Sequence, residues 1–174
     1  MAVAEIIGSA VGVLLLVVVA YLLVGGTLST AETVVAAQKD ITLLQEARLG
    51  TKIDISDISG PVGGLMNFTV SNNGTTSIND MQHMDVILFD QTNGYRYYYY
   101  AKNDSYPLES LDPKDLFEYE WTDTTYTNDY IHYRQLDPGV TMKVEVKLPT
   151  DTKPVSIQVI TSNGISAYKN VNVP

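Results

Sequence analysis

The chain has 174 residues, no cysteine, and a net charge of −9 at neutral pH that arises from 20 acidic and 11 basic side chains. This length leaves room for one N-terminal element and one globular domain of ordinary size. The lack of cysteine excludes disulfides, thiolate metal ligands and thiol nucleophiles, and the acidic balance argues against a basic patch for nucleic acid or anionic lipid.

An apolar stretch without any charged residue, residues 6–31, lies between Glu5 and Glu32. About 20 apolar residues are enough to cross the roughly 30 Å hydrocarbon core of a bilayer. A cleaved secretory signal has a basic start and a shorter apolar run, whereas "MAVAEIIGSAV" contains no Lys or Arg. We therefore expect residues 6–31 to contact a membrane or the same helix of neighbouring copies.

The next segment, "STAETVVAAQKDITLLQEARLG", has the spacing of an amphipathic helix. Apolar residues such as Ile41 and Leu44 recur on one face, and Gly50 is a suitable end for the helix. We expect either one helix from about residue 4 to residue 49 or two helices with a kink at Gly25-Gly26.

From Thr51 onward, apolar and polar residues alternate with the period of half-buried strands. The predicted strands include "TKIDISDI", "MNFTV", "DVILFD", "VTMKVEVKL" and "VSIQVIT", separated by turn sequences such as Asn93-Gly94. Seven to nine short strands predict an all-β sandwich of immunoglobulin-like architecture. The chain is thus predicted to be α+β, with an N-terminal helix over residues 1–50 and a sandwich head over residues 51–174.

The segment 102–129 has weak periodicity and is predicted to be a long acidic connection. Carboxylates in such a loop can bind Ca²⁺, but their spacing matches no EF-hand, and a solvated loop is the favoured interpretation. These acids are Asp112, Asp115, Glu118, Glu120, Asp123 and Asp129.

Nothing in the sequence indicates catalysis. Nucleophilic catalysis requires an activated side chain beside a base, and the two histidines, His83 and His132, lie in no catalytic motif. The sequence also contains no phosphate-binding Gly-rich loop and no HExxH. We therefore expect neither enzymatic activity, nor a cofactor, nor a bound metal.

The sequence "YRYYYYAK" places tyrosines on both faces of one predicted strand. Alternation divides them into Tyr95, Tyr97 and Tyr99 on one face, and Tyr98 and Tyr100 on the other. The second face also carries Arg96 and Lys102, which mark it as exposed. Tyr98 and Tyr100 are therefore candidates for contact with a subunit or partner, with ordinary cross-strand packing as the favoured interpretation.

Three Asn-x-Ser/Thr sequences make Asn67, Asn73 and Asn103 candidates for glycosylation and favour a head outside the cytoplasm. The positive-inside rule points the other way, because the first basic residues, Lys39 and Arg48, follow the apolar stretch. Both orientations stay open from the residues alone.

Glu5 lies at the edge of the apolar stretch, where an acid is costly in lipid unless it is paired or interfacial. One interpretation is an acid at the membrane surface. The other is that Glu5 pairs with the N-terminal amine of a neighbouring copy when the helices bundle into a filament.

The stretch "MAVAEIIGSAVGVLLLVVVAYLLVGG", followed by an amphipathic helix and a β-sandwich, resembles the archaeal type IV pilin-like proteins. These include pilins, archaellins and the archaellum accessory proteins. "AEIIG" with Glu5 is similar to the start of mature archaeal pilins. "LQEARLGTKIDI", "VSNNGTTSI" and "VSIQVITSNGISAY" resemble the FlaF family of accessory proteins, with FlaG as a relative.

The resemblance implies a non-enzymatic component of an archaellum or type IV pilus-like machine, with the helix in the membrane and the head outside the cell. FlaF-like proteins imply an accessory, stator-like role in which the head contacts other archaellum subunits and surface-layer protein. The alternative is the polymerising subunit, a homo-oligomer whose helices form a filament core. A third class, a stand-alone adhesin or binding module, would have a ligand pocket in the head.

Overall fold

The computed structural model describes residues 2–60, 64–101 and 111–171. The chain divides into two compact units, Met1–Gln45 and Glu46–Pro174. The domain boundary between residues 50 and 51 that the sequence suggested stays a prediction.

A single helix, α1, extends from Ala2 to Gly50 and is continuous through Gly25 and Gly26. Of the two alternatives that the sequence left open, one long helix and two helices with a kink at Gly25-Gly26, the structure has the first. Within the apolar stretch, the Ser9 and Thr27 hydroxyls donate to carbonyl oxygens one turn earlier, each at 2.9 Å. These polar groups are therefore satisfied inside the helix, as a hydrocarbon environment requires. By length and composition, α1 can cross a membrane.

The head contains eight strands. They are β1 (Ile53–Ser59), β2 (Gly64–Asn72), β3 (Asp85–Asp90), β4 (Gly94–Tyr100), β5 (Glu120–Thr127), β6 (Thr141–Leu148), β7 (Pro154–Ile160) and β8 (Ser166–Asn170). Their order in the sheet is β1-β2-β6-β5-β4-β3-β7-β8. The edge strands β1 and β8 contact each other, so the sheet folds into a nearly closed sandwich.

Alternation of side chains builds the core of this sandwich. The inward residues of β2 and β6 are buried and lie opposite each other in register, as Phe68 does with Val144. Trp121, Tyr98 and Phe68 are the largest side chains that the core encloses completely. The α+β layout, with a long helix followed by an immunoglobulin-like sandwich, is confirmed.

The prediction of a connection through residues 102–129 is wrong in its second half, because β5 occupies Glu120–Thr127. Alternation is weak there for two physical reasons. Thr122 and Asp123 are consecutive polar residues that are both buried, and a register shift between Asp123 and Thr125 interrupts the pairing with β6. The strand β4 pairs in parallel with β5, and Tyr99 lies opposite Glu120.

The prediction of an exposed face at Tyr98 and Tyr100 is also wrong. Tyr98 is completely buried, and Tyr100 is half-buried against the core, whereas Tyr95 and Tyr99 are 72% and 63% exposed. Tyr98 pairs with Val86, which is itself in the core. Arg96 has the same parity as Tyr98 but is exposed, because it lies near the end of the strand, two residues after the turn at Asn93-Gly94.

Candidate assembly surfaces

The first candidate surface is the exposed apolar part of α1, residues 6–31. Every residue from 3 to 46 is exposed in the isolated chain, including large side chains such as Ile6, Leu16 and Leu23. Exposed apolar surface of this extent marks an interaction site or a membrane-embedded segment. This stretch contains no charged side chain that a lipid or a second apolar helix would have to neutralise.

Glu5 lies in the first turn of α1 and is exposed. The partial positive charge of a helix N-terminus stabilises a carboxylate at this position. The helix therefore accommodates Glu5 without a partner and leaves its carboxylate accessible to a cation on a neighbouring molecule. Pairing with a neighbouring N-terminal amine stays a prediction.

The second candidate surface is the outward side of β3, β4, β7 and β8, which we call the tyrosine face. Its residues follow from the strand register, because directly opposed residues point to the same side of a sheet. One row across the four strands contains Tyr97, Ile87, Gln158 and Tyr168. A second contains Tyr95, Phe89, Ser156 and Asn170, and a third contains Asp85, Ile160 and Ser166, with Tyr99 beside it on β4.

The aromatic rings of the tyrosine face hold one another in place. Tyr97 and Tyr99 pack edge to face with centroids 4.8 Å apart, and Phe89 lies 4.9 Å from Tyr95. The Tyr97 hydroxyl donates to Asp85 Oδ1 at 2.6 Å. This hydrogen bond to a carboxylate, together with partial burial, raises the pKa of Tyr97 to about 12. Tyr97 is therefore a neutral donor at any physiological pH.

Tyr100 belongs to a buried polar network instead of a contact surface. Its hydroxyl donates to Asp123 Oδ1 at 2.7 Å, the Tyr126 hydroxyl donates to Asp123 Oδ2 at 2.9 Å, and Arg134 Nη2 donates to the same oxygen. Burial and the bond to Asp123 raise the pKa of Tyr100 above its ordinary value. This network, which the sequence did not reveal, ties the loop that carries Arg134 to β5.

The acids proposed as Ca²⁺ ligands are dispersed. Asp112 accepts from Lys114 Nζ at 2.7 Å, Asp123 pairs with Arg134, and Asp129 accepts the Arg134 backbone N–H at 2.9 Å. Over residues 2–60, 64–101 and 111–171, no three acidic or histidine side chains are grouped closely enough to hold a metal ion.

Both histidines make local contacts with an aspartate. His83 Nδ1 lies 2.7 Å from Asp80 Oδ2, and His132 Nδ1 lies 2.9 Å from Asp137 Oδ2. Asp137 is nearly inaccessible, and hydrogen bonds from Ser77 and His132 lower its pKa. These pairs brace loops of the head.

Two of the three glycosylation candidates lie in the described chain. Asn67 is on the outward side of β2, where its Oδ1 accepts from Ser59 Oγ at 2.7 Å. Asn73 is exposed in the turn after β2. Asn103 lies outside the described residues, so its surroundings stay untested.

Comparison with solved structures finds the same architecture. The chain is similar to a chain of the archaeal flagellum of Methanospirillum hungatei strain JF1, with 15% identity, a TM-score of 0.62, and cover of 94% of this chain and 90% of that chain. The chain shares its fold with archaellum proteins. The resemblance noted in the sequence is therefore confirmed at the level of the fold.

Two further matches come from Sulfolobus acidocaldarius. The archaellum periplasmic stator protein FlaG matches with 18% identity and a TM-score of 0.50, over 70% of this chain and 99% of that chain. The archaellum periplasmic stator protein complex FlaF and FlaG matches with 20% identity and a TM-score of 0.48, over 70% and 89%. No family model matches the chain, and no curated protein matches it.

Proposed function

We propose that this chain is a non-enzymatic structural component of an archaellum-like surface filament machine, held by α1 with the sandwich head outside the cell. The observation that carries the proposal is the unbroken helix Ala2–Gly50, whose residues 6–31 contain no charge and are exposed throughout. Such a helix requires lipid or other apolar helices around it. The likeness to the M. hungatei flagellum, over 94% of this chain, supports the same role.

Two forms of this role are compatible with the fold. In the first, the chain polymerises, residues 6–31 form the filament core, and Glu5 pairs with the N-terminal amine of the next subunit. The likeness to the flagellum has the wider cover and the higher TM-score and favours this form. In the second, the chain is an accessory, stator-like anchor whose head contacts surface-layer protein. The likeness to the stator protein FlaG favours that form.

Electron microscopy of the purified full-length chain after detergent removal separates the two forms. Helical filaments with bundled helices inside support the polymerising subunit. Small particles that do not polymerise, but whose heads retain surface-layer protein, support the anchor. Particles that do neither and bind a small solute contradict both forms and leave the stand-alone binding module.

A pair of substitutions tests Glu5 within the polymerising form. Glu5→Gln removes the charge at the N-terminal edge of the apolar stretch, and we expect it to reduce filament yield at least tenfold. Glu32→Gln removes the same charge at the other edge and is the matched control. Equal filament yields from both variants would show that Glu5 has no special part in assembly.

The three sequons support a head outside the cell, since Asn73 is exposed in a turn. Intact mass measurement of the chain from native membranes tests this. A glycan mass that disappears with Asn73→Gln, Asn67→Gln or Asn103→Gln supports the orientation. A head that protease cleaves only after the cells are opened contradicts it.

A further inference from the structure

Three Asn-Gly dipeptides lie in connections of the head, at Asn73-Gly74, Asn93-Gly94 and Asn163-Gly164. Such a dipeptide can modify itself without an enzyme. The backbone nitrogen of the glycine attacks the side-chain carbonyl carbon Cγ of the asparagine, a new C–N bond forms, and ammonia leaves. Water then opens the resulting succinimide ring to aspartate or isoaspartate. Glycine allows the attack best, because it has no β-carbon to shield its nitrogen. By sequence alone, the three dipeptides are equivalent.

The fold decides the rate at each dipeptide, because the reaction requires three kinds of freedom. The asparagine side chain must be able to turn toward the backbone. The peptide between the two residues must be able to rotate, and water must reach the ring that forms. Hydrogen bonds to the side chain or from the glycine nitrogen oppose the attack, because they have to break first. Close packing around the glycine opposes the rotation.

At Asn163, hydrogen bonds hold both reacting groups. Its Nδ2 donates to Thr51 Oγ1 at 2.7 Å and to the Ala47 carbonyl oxygen at 3.4 Å. Its Oδ1 accepts from Thr161 Oγ1. The Gly164 nitrogen donates to the Thr161 carbonyl oxygen at 2.8 Å. The attack at Asn163 therefore requires several bonds to break together.

At Asn73, the side chain is exposed but the glycine is confined. The Gly74 nitrogen donates to Asn72 Oδ1 at 2.9 Å. A methyl group built on Gly74 would lie 2.2 Å from the Gly50 carbonyl oxygen and 2.6 Å from the Lys52 nitrogen. The backbone is therefore closely surrounded, and rotation of the peptide before Gly74 is blocked.

At Asn93, all three kinds of freedom are present. The residue is exposed in the turn between β3 and β4, and its side chain makes no hydrogen bond within the described part of the chain. A methyl group built on Gly94 would have no atom within 4 Å apart from its chain neighbours. Gly94 and Asp90 form the last pair of the hairpin, where pairing opens more easily than inside a sheet. Asp90 Oδ1 holds the Asn93 backbone nitrogen and leaves the side chain free.

We propose that Asn93 is a site of spontaneous deamidation in the folded chain, and that its conversion changes the β3–β4 turn. The aspartate product adds one negative charge to this turn. The isoaspartate product carries an additional backbone methylene, which shifts Gly94 relative to Asp90. The shift also moves Tyr95, whose ring lies 4.9 Å from Phe89 on the tyrosine face.

Peptide mapping by mass spectrometry tests the ranking of the three dipeptides. The full-length chain is kept in detergent at pH 8 and 37 °C, and conversion of each asparagine is followed over time. We expect Asn93 to convert at least tenfold faster than Asn73 and Asn163. In guanidinium chloride, where only the sequence acts, the three rates should lie within threefold of one another. Equal rates in the folded chain, or faster conversion of Asn73 or Asn163, would overturn the proposal.

Two matched substitutions at exposed asparagines provide a second test. Asn93→Gln suppresses the reaction, because glutamine would have to form a less favourable six-membered ring. We expect the initial rate of ammonia release from the folded chain to fall at least fivefold. Asn73→Gln is the control and should release ammonia at nearly the wild-type rate. A larger fall in the control than in Asn93→Gln would contradict the assignment.

The restraint at Asn163 can be tested in the same assay. Thr51→Val removes the hydroxyl that accepts from Asn163 Nδ2. We expect conversion of Asn163 to accelerate at least threefold while Asn93 stays unchanged. An unchanged rate at Asn163 would show that hydrogen bonds do not set the ranking. Near-ultraviolet circular dichroism of buried Trp121 confirms that each variant is folded. None of these outcomes depends on whether the chain polymerises or serves as an anchor.

Discussion

Asp90 is a buried carboxylate that joins two turns of the head. It is 1% exposed and accepts three backbone hydrogen bonds, from Thr92 at 2.6 Å, Asn93 at 2.9 Å and Lys153 at 2.6 Å. Burial alone would raise its pKa, but the donors at Asn93, Lys153 and Thr92 outweigh burial and lower it. One side chain thus connects the β3–β4 turn to the segment that enters β7.

Asp90→Asn should destabilise the head by roughly 1–3 kcal/mol, because the amide presents one acceptor where the carboxylate presents two. Since the folded pKa lies below the unfolded value of 3.8, the contribution of Asp90 is present above that pH and is lost as pH falls through the folded pKa. The difference in unfolding free energy between the wild type and Asp90→Asn should therefore be smallest at acidic pH.

Urea unfolding between pH 3 and pH 7, followed by Trp121 fluorescence, measures this effect. Asp54→Asn, at an exposed position of β1, is the control. An equal, pH-independent loss in both variants would contradict the role assigned to Asp90.

The Asp123–Arg134 pair provides a second test at the scale of single residues. The two side chains are 2% and 16% exposed, so Arg134→Gln leaves a buried carboxylate without its cation and should cost roughly 3–5 kcal/mol. Tyr100→Phe removes one donor to Asp123 and should cost only about 1 kcal/mol. The double variant Asp123→Asn/Arg134→Gln should regain part of the loss in urea unfolding; failure to do so would show that Arg134 acts through packing.

At the scale of elements, the apolar stretch of α1 has a predictable response to charge. Leu16→Lys places an ammonium group in the middle of residues 6–31, where it costs roughly 2.5–3.5 kcal/mol in a bilayer. We expect this variant to be extracted from membranes by alkaline carbonate while the wild type stays in the pellet. Leu44→Lys, on the same helix beyond the apolar stretch, should pellet with the wild type. Retention of the Leu16→Lys variant would contradict the assignment.

A strand and its buried face can be predicted from the sequence when the alternation within that strand alone determines which side chains are buried. In β6, every second side chain is buried without interruption, so "TMKVEVKL" predicts both the strand and its inward face. In β4, alternation separates the two faces of "YRYYYY". Arg96, which is exposed, leads to the wrong prediction of which face is exposed. The inward face is decided by β3, through the pairing of Tyr98 with Val86, which no short-range pattern contains.

The parts of the candidate surfaces that depend only on neighbouring residues are predictable from the sequence. The apolar stretch and the position of Glu5 follow from residues adjacent in the chain. The tyrosine face requires the register of four strands, of which β8 was not among the predicted strands. The Asp123–Arg134 pair joins a strand to a loop. The local sequence predicts a solvated Asp123, because the cation that allows its burial lies 11 residues further along the chain.

At the scale of the whole molecule, the two compact units should respond to heat separately. In the first unit, the described residues 2–45 are all helical, and Trp121, the single tryptophan, lies buried in the second unit. In detergent, we expect the near-ultraviolet signal of Trp121 to be lost in one cooperative transition while most of the helical signal at 222 nm persists. A single coincident loss of both signals would show that the units unfold together.

The contact between the edge strands β1 and β8 limits aggregation of the heads where many copies of the chain lie close together. A sheet with an open edge offers unpaired backbone groups to any neighbouring sheet, and crowding then drives irreversible strand addition and amyloid-like aggregation. Here each edge strand lies against the other, which limits the access of a neighbouring sheet to their backbone groups. Neighbouring heads then contact each other mainly through side chains. Such contacts can form, break and rearrange without refolding of either molecule.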